Sequence, residues 1–131
     1  MLGRQVNTMR ELDQVVSAGI SKVAFDHLLT MLTDTGQGSD PLVALRNKIV
    51  PRATYQRSKQ LNLQTSETAE RLARLYALAN SVFQDHQATR RFMSNPHSEL
   101  EGRAPLGVAL TEIGGRQVEE VIARGLHGLP A

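Results

Sequence analysis

Apolar residues recur at three- and four-residue spacing along most of this chain, and no convincing run alternates with period two. The pattern predicts an all-α protein. In "TMRELDQVVSAG", Met9, Leu12, Val15 and Val16 share one helical face, and Gly19 can end the helix. "SKVAFDHLLTML" repeats the pattern with Val23, Ala24, Leu28, Met31 and Leu32 expected inward. "TDTGQGSD" reads as a loop, after which Asp40-Pro41 supplies an N-cap and a first-turn proline. "LVALRNKIV" predicts a short helix with Leu42, Leu45 and Ile49 inward, and Pro51 can open another, "RATYQRSKQ".

The clearest helix runs over residues 66–83. Ala69, Leu72, Ala73, Tyr76, Ala79 and Phe83 form its apolar stripe, and Thr65 or Ser66 can cap it. Glu67 and Glu70 suit its positive N-terminal end. "DHQATRRFMSN" predicts a further helix that stops at Asn95-Pro96, and "PHSELEGRA" reads as a linker. "PLGVAL" is a short turn opened by Pro105. Thr111 can cap a last helix carrying Ile113, Val118, Val121 and Ile122. The expected organisation is two helical units, 1–64 and 65–131. The first resembles a small helical DNA-binding module in its helix lengths and loop spacing.

Composition narrows the function classes. The chain has 131 residues and no cysteine, which excludes disulfides and thiolate chemistry. It has no twenty-residue apolar run and no signal-like start, so a soluble cytoplasmic protein without membrane contact is expected. The net charge of +2 is mild, but its distribution is uneven. Between Pro41 and Ser66 stand five cations, Arg46, Lys48, Arg52, Arg57 and Lys59, and no acid. Such a stretch suits a phosphate-facing surface or an ordinary solvated face. Arg52, Tyr55 and Lys59 are spaced to share one side of a helix, with Thr54 beside them. Cations there can hold phosphates, and a hydroxyl or an arginine can reach a base edge. Readers of this kind commonly act as dimers on successive major grooves, so a homodimer is expected.

No catalytic constellation stands out. His27, His86, His97 and His127 are scattered and make no metal-binding spacing. Glu119 and Glu120 are adjacent and point to different sides of a helix, while Glu99 and Glu101 fall in the linker. "GQGS" at Gly36–Ser39 lacks the preceding strand and the lysine of a phosphate loop. No enzyme, metal or cofactor is expected.

The last stretch, "VEEVIARGLHGLPA", carries no charged side chain after Arg124. Gly125 and Gly128 can turn the chain out of its helix, and Pro130 restricts the freedom of the end. Leu126 and Leu129 would each contribute about 1.5–3 kcal/mol if fully buried. That burial can come from this chain's own core or from a cleft on a partner.

The ordered string Pro51, Thr54, Arg57, Ser66, Glu67, Arg71, Leu72 resembles the Xre/MbcA/ParS antitoxins. So does a second block: Asn95-Pro96, Leu100, Gly102-Arg103-Ala104-Pro105-Leu106, Thr111-Glu112, Gly114, Val118 and Gly128. The likeness covers residues 50–131 well and the first third loosely. Where the family often has two consecutive arginines after the threonine, this chain has Arg57-Ser58. The resemblance implies an Xre-like module followed by a toxin-binding domain. It implies a cognate RES-domain toxin as partner, one that consumes NAD or transfers ADP-ribose from it. It further implies that the C-terminal segment occludes the toxin's active site. The toxin-contacting residues would be Arg116, Arg124, Gly125, Leu126, His127, Gly128, Leu129, Pro130 and Ala131. Promoter DNA would be met by Arg46, Lys48, Arg52, Thr54, Tyr55, Arg57 and Lys59, giving autorepression. The competing reading is a helix-turn-helix regulator with no toxin partner.

Overall fold

The computed structural model describes residues 20–33, 40–57 and 60–126. The helix expected around Met9 to Val16 and the loop at Gly36–Ser39 lie outside the described residues. The chain divides into two compact units, residues 1–70 and 71–131. Every named element within them is helical, so the all-α expectation holds.

In the first unit, α1 (Lys22–Thr33) packs against α2 (Asp40–Ile49). α1 buries Ala24, Phe25, Leu28, Leu29 and Leu32. Val23, expected inward, is 79% exposed. It stands two residues, or about 200°, from Phe25, whose ring joins Leu28 and Leu32 in a cleaner stripe. α2 contributes Leu42 and Leu45, and Val50 just beyond its end is buried in place of the half-buried Ile49. α3 (Arg52–Arg57) follows Pro51 and buries no side chain completely.

The first two turns of α4 (Leu63–Phe83) close this unit. The helix starts earlier than its apolar stripe implied. Asn62 is the cap: its side-chain oxygen accepts the Thr65 N–H at 2.9 Å. Thr65 and Ser66 are therefore helical and buried, not caps. Ser66 has another task. Its hydroxyl oxygen accepts the buried Ile20 N–H at 2.8 Å and donates to the Asn62 carbonyl at 3.0 Å. Leu61 N–H donates to the Ile20 carbonyl at 2.9 Å, so the segment entering α1 is tied to the segment entering α4.

The second unit holds the remainder of α4, then α5 (His86–Ser94), α6 (Pro105–Val108) and α7 (Glu112–Leu126). Gln84 turns out of α4 with φ 55°, and the Asp85 carboxylate accepts the Ala88 N–H at 3.0 Å to start α5. Leu72, Leu75, Tyr76, Ala79, Met93, Leu106, Val108, Val118, Val121 and Ile122 are buried. The segment 96–104, expected to be a linker, is a closed loop. His97 N–H donates to the Arg103 carbonyl at 3.2 Å, and Gly102 N–H donates back to the His97 carbonyl at 3.0 Å. Glu101 (φ 59°) and Gly102 (φ 78°) make the left-handed turn that lets the two ends meet. Within it, a 3-10 turn at Ser98–Leu100 buries Leu100.

Thr111 caps α7 as expected, accepting the Gly114 N–H at 2.9 Å. The inward stripe of α7 runs through Gly114, Gly115, Val118, Val121 and Ile122, which leaves Ile113 72% exposed. Gly125 does not release the chain. The helix continues through it to Leu126, and a Cβ there would meet Val82 Cγ1 at 3.3 Å.

Candidate functional site

Polar clusters stand out among the described residues of both units. In the first, the Tyr55 hydroxyl of α3 donates to Asp26 Oδ2 of α1 at 2.5 Å. Lys22 Nζ lies 4.8 Å and the Arg46 guanidinium carbon 4.4 Å from the Tyr55 ring centre. Both cations face the negative π-surface of the ring. Arg46 also approaches Asp26 Oδ1 at 3.5 Å, and Lys22 donates to the Gln56 carbonyl at 3.3 Å. Burial raises the Tyr55 phenol above its ordinary value near 10, helped by the Asp26 carboxylate that accepts its proton and opposed by Arg46.

This cluster divides the expected nucleic-acid residues. Arg46 and Tyr55 are engaged inside the unit, and Thr54 is half-buried. Lys48, Arg52 and Arg57 are exposed, and Lys59 lies outside the described residues. Sequence reasoning missed Asp26 as the organiser. It stands 29 residues before Tyr55, and no local spacing links them.

In the second unit, Arg71 is 8% exposed. It donates to the Ala109 carbonyl at 3.1 Å and to Glu112 Oε2 at 3.4 Å. Its stem crosses Gly115 so closely that a Cβ there would stand 2.6 Å from Arg71 Cδ. Glu112 also meets Arg116 at 3.8 Å, one helical turn on. Arg74 pairs with Glu119 at 3.3 Å. These contacts hold α4, the α6–α7 turn and the start of α7 together. Tyr76 Oη lies 2.6 Å from His86 Nδ1, and the rings of Phe83, Phe92 and His97 follow one another at 5.4 and 5.9 Å. Among the described residues, no histidine joins a metal-binding group.

Two expected partner-contacting arginines lie on α7. Arg116 is 75% exposed on its side chain. Arg124 forms an ion pair with Glu99 of the closed loop. The pair stands at one side of a hollow of about 260 Å³, open to solvent. Leu100, Glu101 and Arg103 of the loop, with Gln117, Glu120 and Val121 of α7, complete its wall. Gly125 is helical. Leu126 is the last helical residue, and His127, Gly128, Leu129, Pro130 and Ala131 lie outside the described residues. None of the described helices is long and apolar enough to cross a membrane.

Residues 78–128 match the family model of the antitoxin Xre/MbcA/ParS C-terminal toxin-binding domain. That stretch takes in the end of α4, α5, the closed loop, α6 and α7. Over 87 residues the chain is 29% identical to the protein named Antitoxin Xre from Pseudomonas putida. The alignment covers 63% of this chain and 55% of that relative, so the chain spans about half of the curated protein it matches.

Proposed function

We propose that this chain, a member of the Xre/MbcA/ParS antitoxin family, neutralises a RES-domain toxin that consumes NAD or transfers ADP-ribose from it. The observation that carries the proposal is the match of residues 78–128 to the family's toxin-binding domain. The action is stoichiometric inhibition without turnover. The segment from Arg124 to Ala131 enters the toxin's cleft and excludes its substrate, and Arg116 adds a contact on the same helix.

The geometry favours such a role in two ways. α7 is capped by Thr111 and packed through Val118, Val121 and Ile122, so it is a rigid base for the residues beyond Leu126. A segment presented from a rigid base loses less freedom on binding than one presented from a loose loop. The Arg124–Glu99 pair further fixes the last turn of that base.

The test is co-expression with the product of the neighbouring open reading frame, followed by purification and an assay of NAD loss. Rapid NAD loss with a chain lacking residues 125–131, and none with the full chain, is the expected result. Full protection by the truncated chain would sink the tail mechanism. Failure of the full chain to bind the toxin would sink the antitoxin reading.

Autorepression is the second part of the proposal. The acid-free stretch from Pro41 to Ser66 supports it, with Lys48, Arg52 and Arg57 exposed. Arg46 and Tyr55 then act by shaping the surface, and a homodimer would place two such surfaces on the promoter. Replacing Lys48, Arg52 and Arg57 with alanine should weaken promoter binding and shallow its salt dependence by roughly one unit for each phosphate no longer neutralised. An unchanged slope would move the DNA surface elsewhere.

A further inference from the structure

α3 (Arg52–Arg57) is six residues long and buries no side chain completely. A helix that short does not persist in water by itself, because nucleation costs more than its few hydrogen bonds return. Contacts with the rest of the first unit must therefore hold it, and they converge on the Tyr55 side chain.

Lys22 and Asp26 stand one turn apart on α1 and share a face of that helix. Asp26 Oδ2 accepts the Tyr55 hydroxyl at 2.5 Å, and Lys22 Nζ lies 4.8 Å from the ring centre. Lys22 also donates to the Gln56 carbonyl at 3.3 Å, which ties the α3 backbone to the same face. From α2, the Arg46 guanidinium lies over the ring at 4.4 Å and approaches Asp26 Oδ1 at 3.5 Å. Asp26 Oδ1 is buried and makes no hydrogen bond, so its carboxylate is fixed within the cluster. The docked ring also sets the direction of the α3 cations. Arg57 stands two residues, or about 200°, from Tyr55, so it faces water when the ring faces the unit. Arg52 is exposed as well.

We propose that Tyr55 and Asp26 are positioning residues for nucleic-acid contact: their bond docks α3 and so presents Arg52 and Arg57 to phosphates in one preformed arrangement. The inference rests on the autorepression reading above and names the device that orders its surface. Neither Tyr55 nor Asp26 needs to touch DNA. A surface that is formed only part of the time loses affinity in proportion to the fraction formed. Once bound, it neutralises the same phosphates, so the slope of its salt dependence is kept. Removing a contacting cation changes that slope. The two kinds of residue are therefore separable by measurement.

The test uses the full chain and a labelled DNA duplex taken from upstream of its own reading frame. Tyr55→Phe keeps the ring and its two cations and removes the bond to Asp26. Amide exchange is followed at Tyr55, whose N–H donates to the Pro51 carbonyl at 2.9 Å. It should run about three- to tenfold faster in Tyr55→Phe, the factor expected from one lost hydrogen bond. Because α3 is short, duplex affinity should fall by about twofold or more, at an unchanged salt slope. Arg52→Ala/Arg57→Ala should instead make the slope shallower. As a control, Tyr76→Phe removes a phenol that meets His86 at 2.6 Å in the second unit, and it should leave duplex affinity at the wild-type value. Unchanged exchange at Tyr55 would overturn the docking bond. Faster exchange with unchanged affinity, or with a slope as shallow as that of the arginine variant, would overturn the positioning role and leave autorepression standing. No duplex binding by the wild type would overturn both.

Discussion

The two units use arginine in opposite ways. In the first, Arg46 lies against the Tyr55 ring near the surface, with its side chain 22% exposed and Lys22 and Asp26 sharing the cluster. In the second, Arg71 is driven inside, 10% exposed on its side chain, and its Nε has no hydrogen-bond partner. Room for it comes from Gly115. Lys22, Asp26 and Arg46 share the Tyr55 side chain, so one partner can stand in for another, although Asp26 Oδ1 is itself buried without a hydrogen bond. A buried guanidinium has no such substitute, so the helices around it depend on its path. The second unit should therefore be the more brittle of the two, and that brittleness lies in the domain matched to toxin binding.

The largest effect should come from Gly114→Ala. Its Cβ would stand 1.7 Å from the Val108 carbonyl oxygen, a backbone atom that cannot move without unwinding α6 or α7. A loss of about 3 kcal/mol is expected, read by thermal melting and by amide exchange across α7. Melting indistinguishable from the wild type would mean that the turn is more pliable than its geometry implies. Arg71→Ala should come next, at about 2–3 kcal/mol, from poorer packing and the missing bond to the Ala109 carbonyl. Glu112→Gln should cost well under about 1 kcal/mol, because Glu112 is largely exposed and water screens the pair. Equal effects from the two would place the energy in the ion pair instead of the buried stem.

In the first unit, Tyr55→Phe should cost only about 1 kcal/mol, the net worth of its bond to Asp26. It should also change the response to alkali. The raised Tyr55 value means that the unfolded chain loses this proton first. The contribution is complete below pH of about 10 and is lost as pH rises through the higher folded value. Denaturant titrations from about pH 9 to about pH 12 should show that decline in the wild type and a weaker one in Tyr55→Phe. Parallel declines would remove Tyr55 from the linkage. Smallest of all, Arg116→Ala should shift stability by less than about 0.5 kcal/mol, since its side chain is 75% exposed and its partner is one turn away.

The sequence alone was enough for several elements. Periodic apolar spacing located the helices between Lys22 and Leu126, because a helix that buries one face must repeat every three or four residues. Local chemistry placed Pro105 at the start of α6 and Thr111 at the cap of α7, since each acts within four residues of itself. The ordered motif from Pro51 to Gly128 pointed to the antitoxin family without any knowledge of the fold.

Tertiary structure decided the features that depend on distant neighbours. Val23 and Ile113 fit an inward stripe by spacing but face water, because Phe25 in one helix and Gly114 with Gly115 in the other take the inward positions. Asn62 took the cap from Thr65 and Ser66 once Ser66 was needed by Ile20, 46 residues away. The segment 96–104 looked like a linker because its hydrogen bonds close a loop instead of repeating along a helix. The availability of charges was equally hidden. Arg46 and Arg57 look alike along the chain, yet one packs on an aromatic ring and the other is exposed. Among the glutamates, only folding separates Glu119, paired with Arg74, from Glu120, which lines the hollow beside the closed loop. Spacing along one helix sets where a side chain points, but whether it finds a partner depends on the element packed opposite.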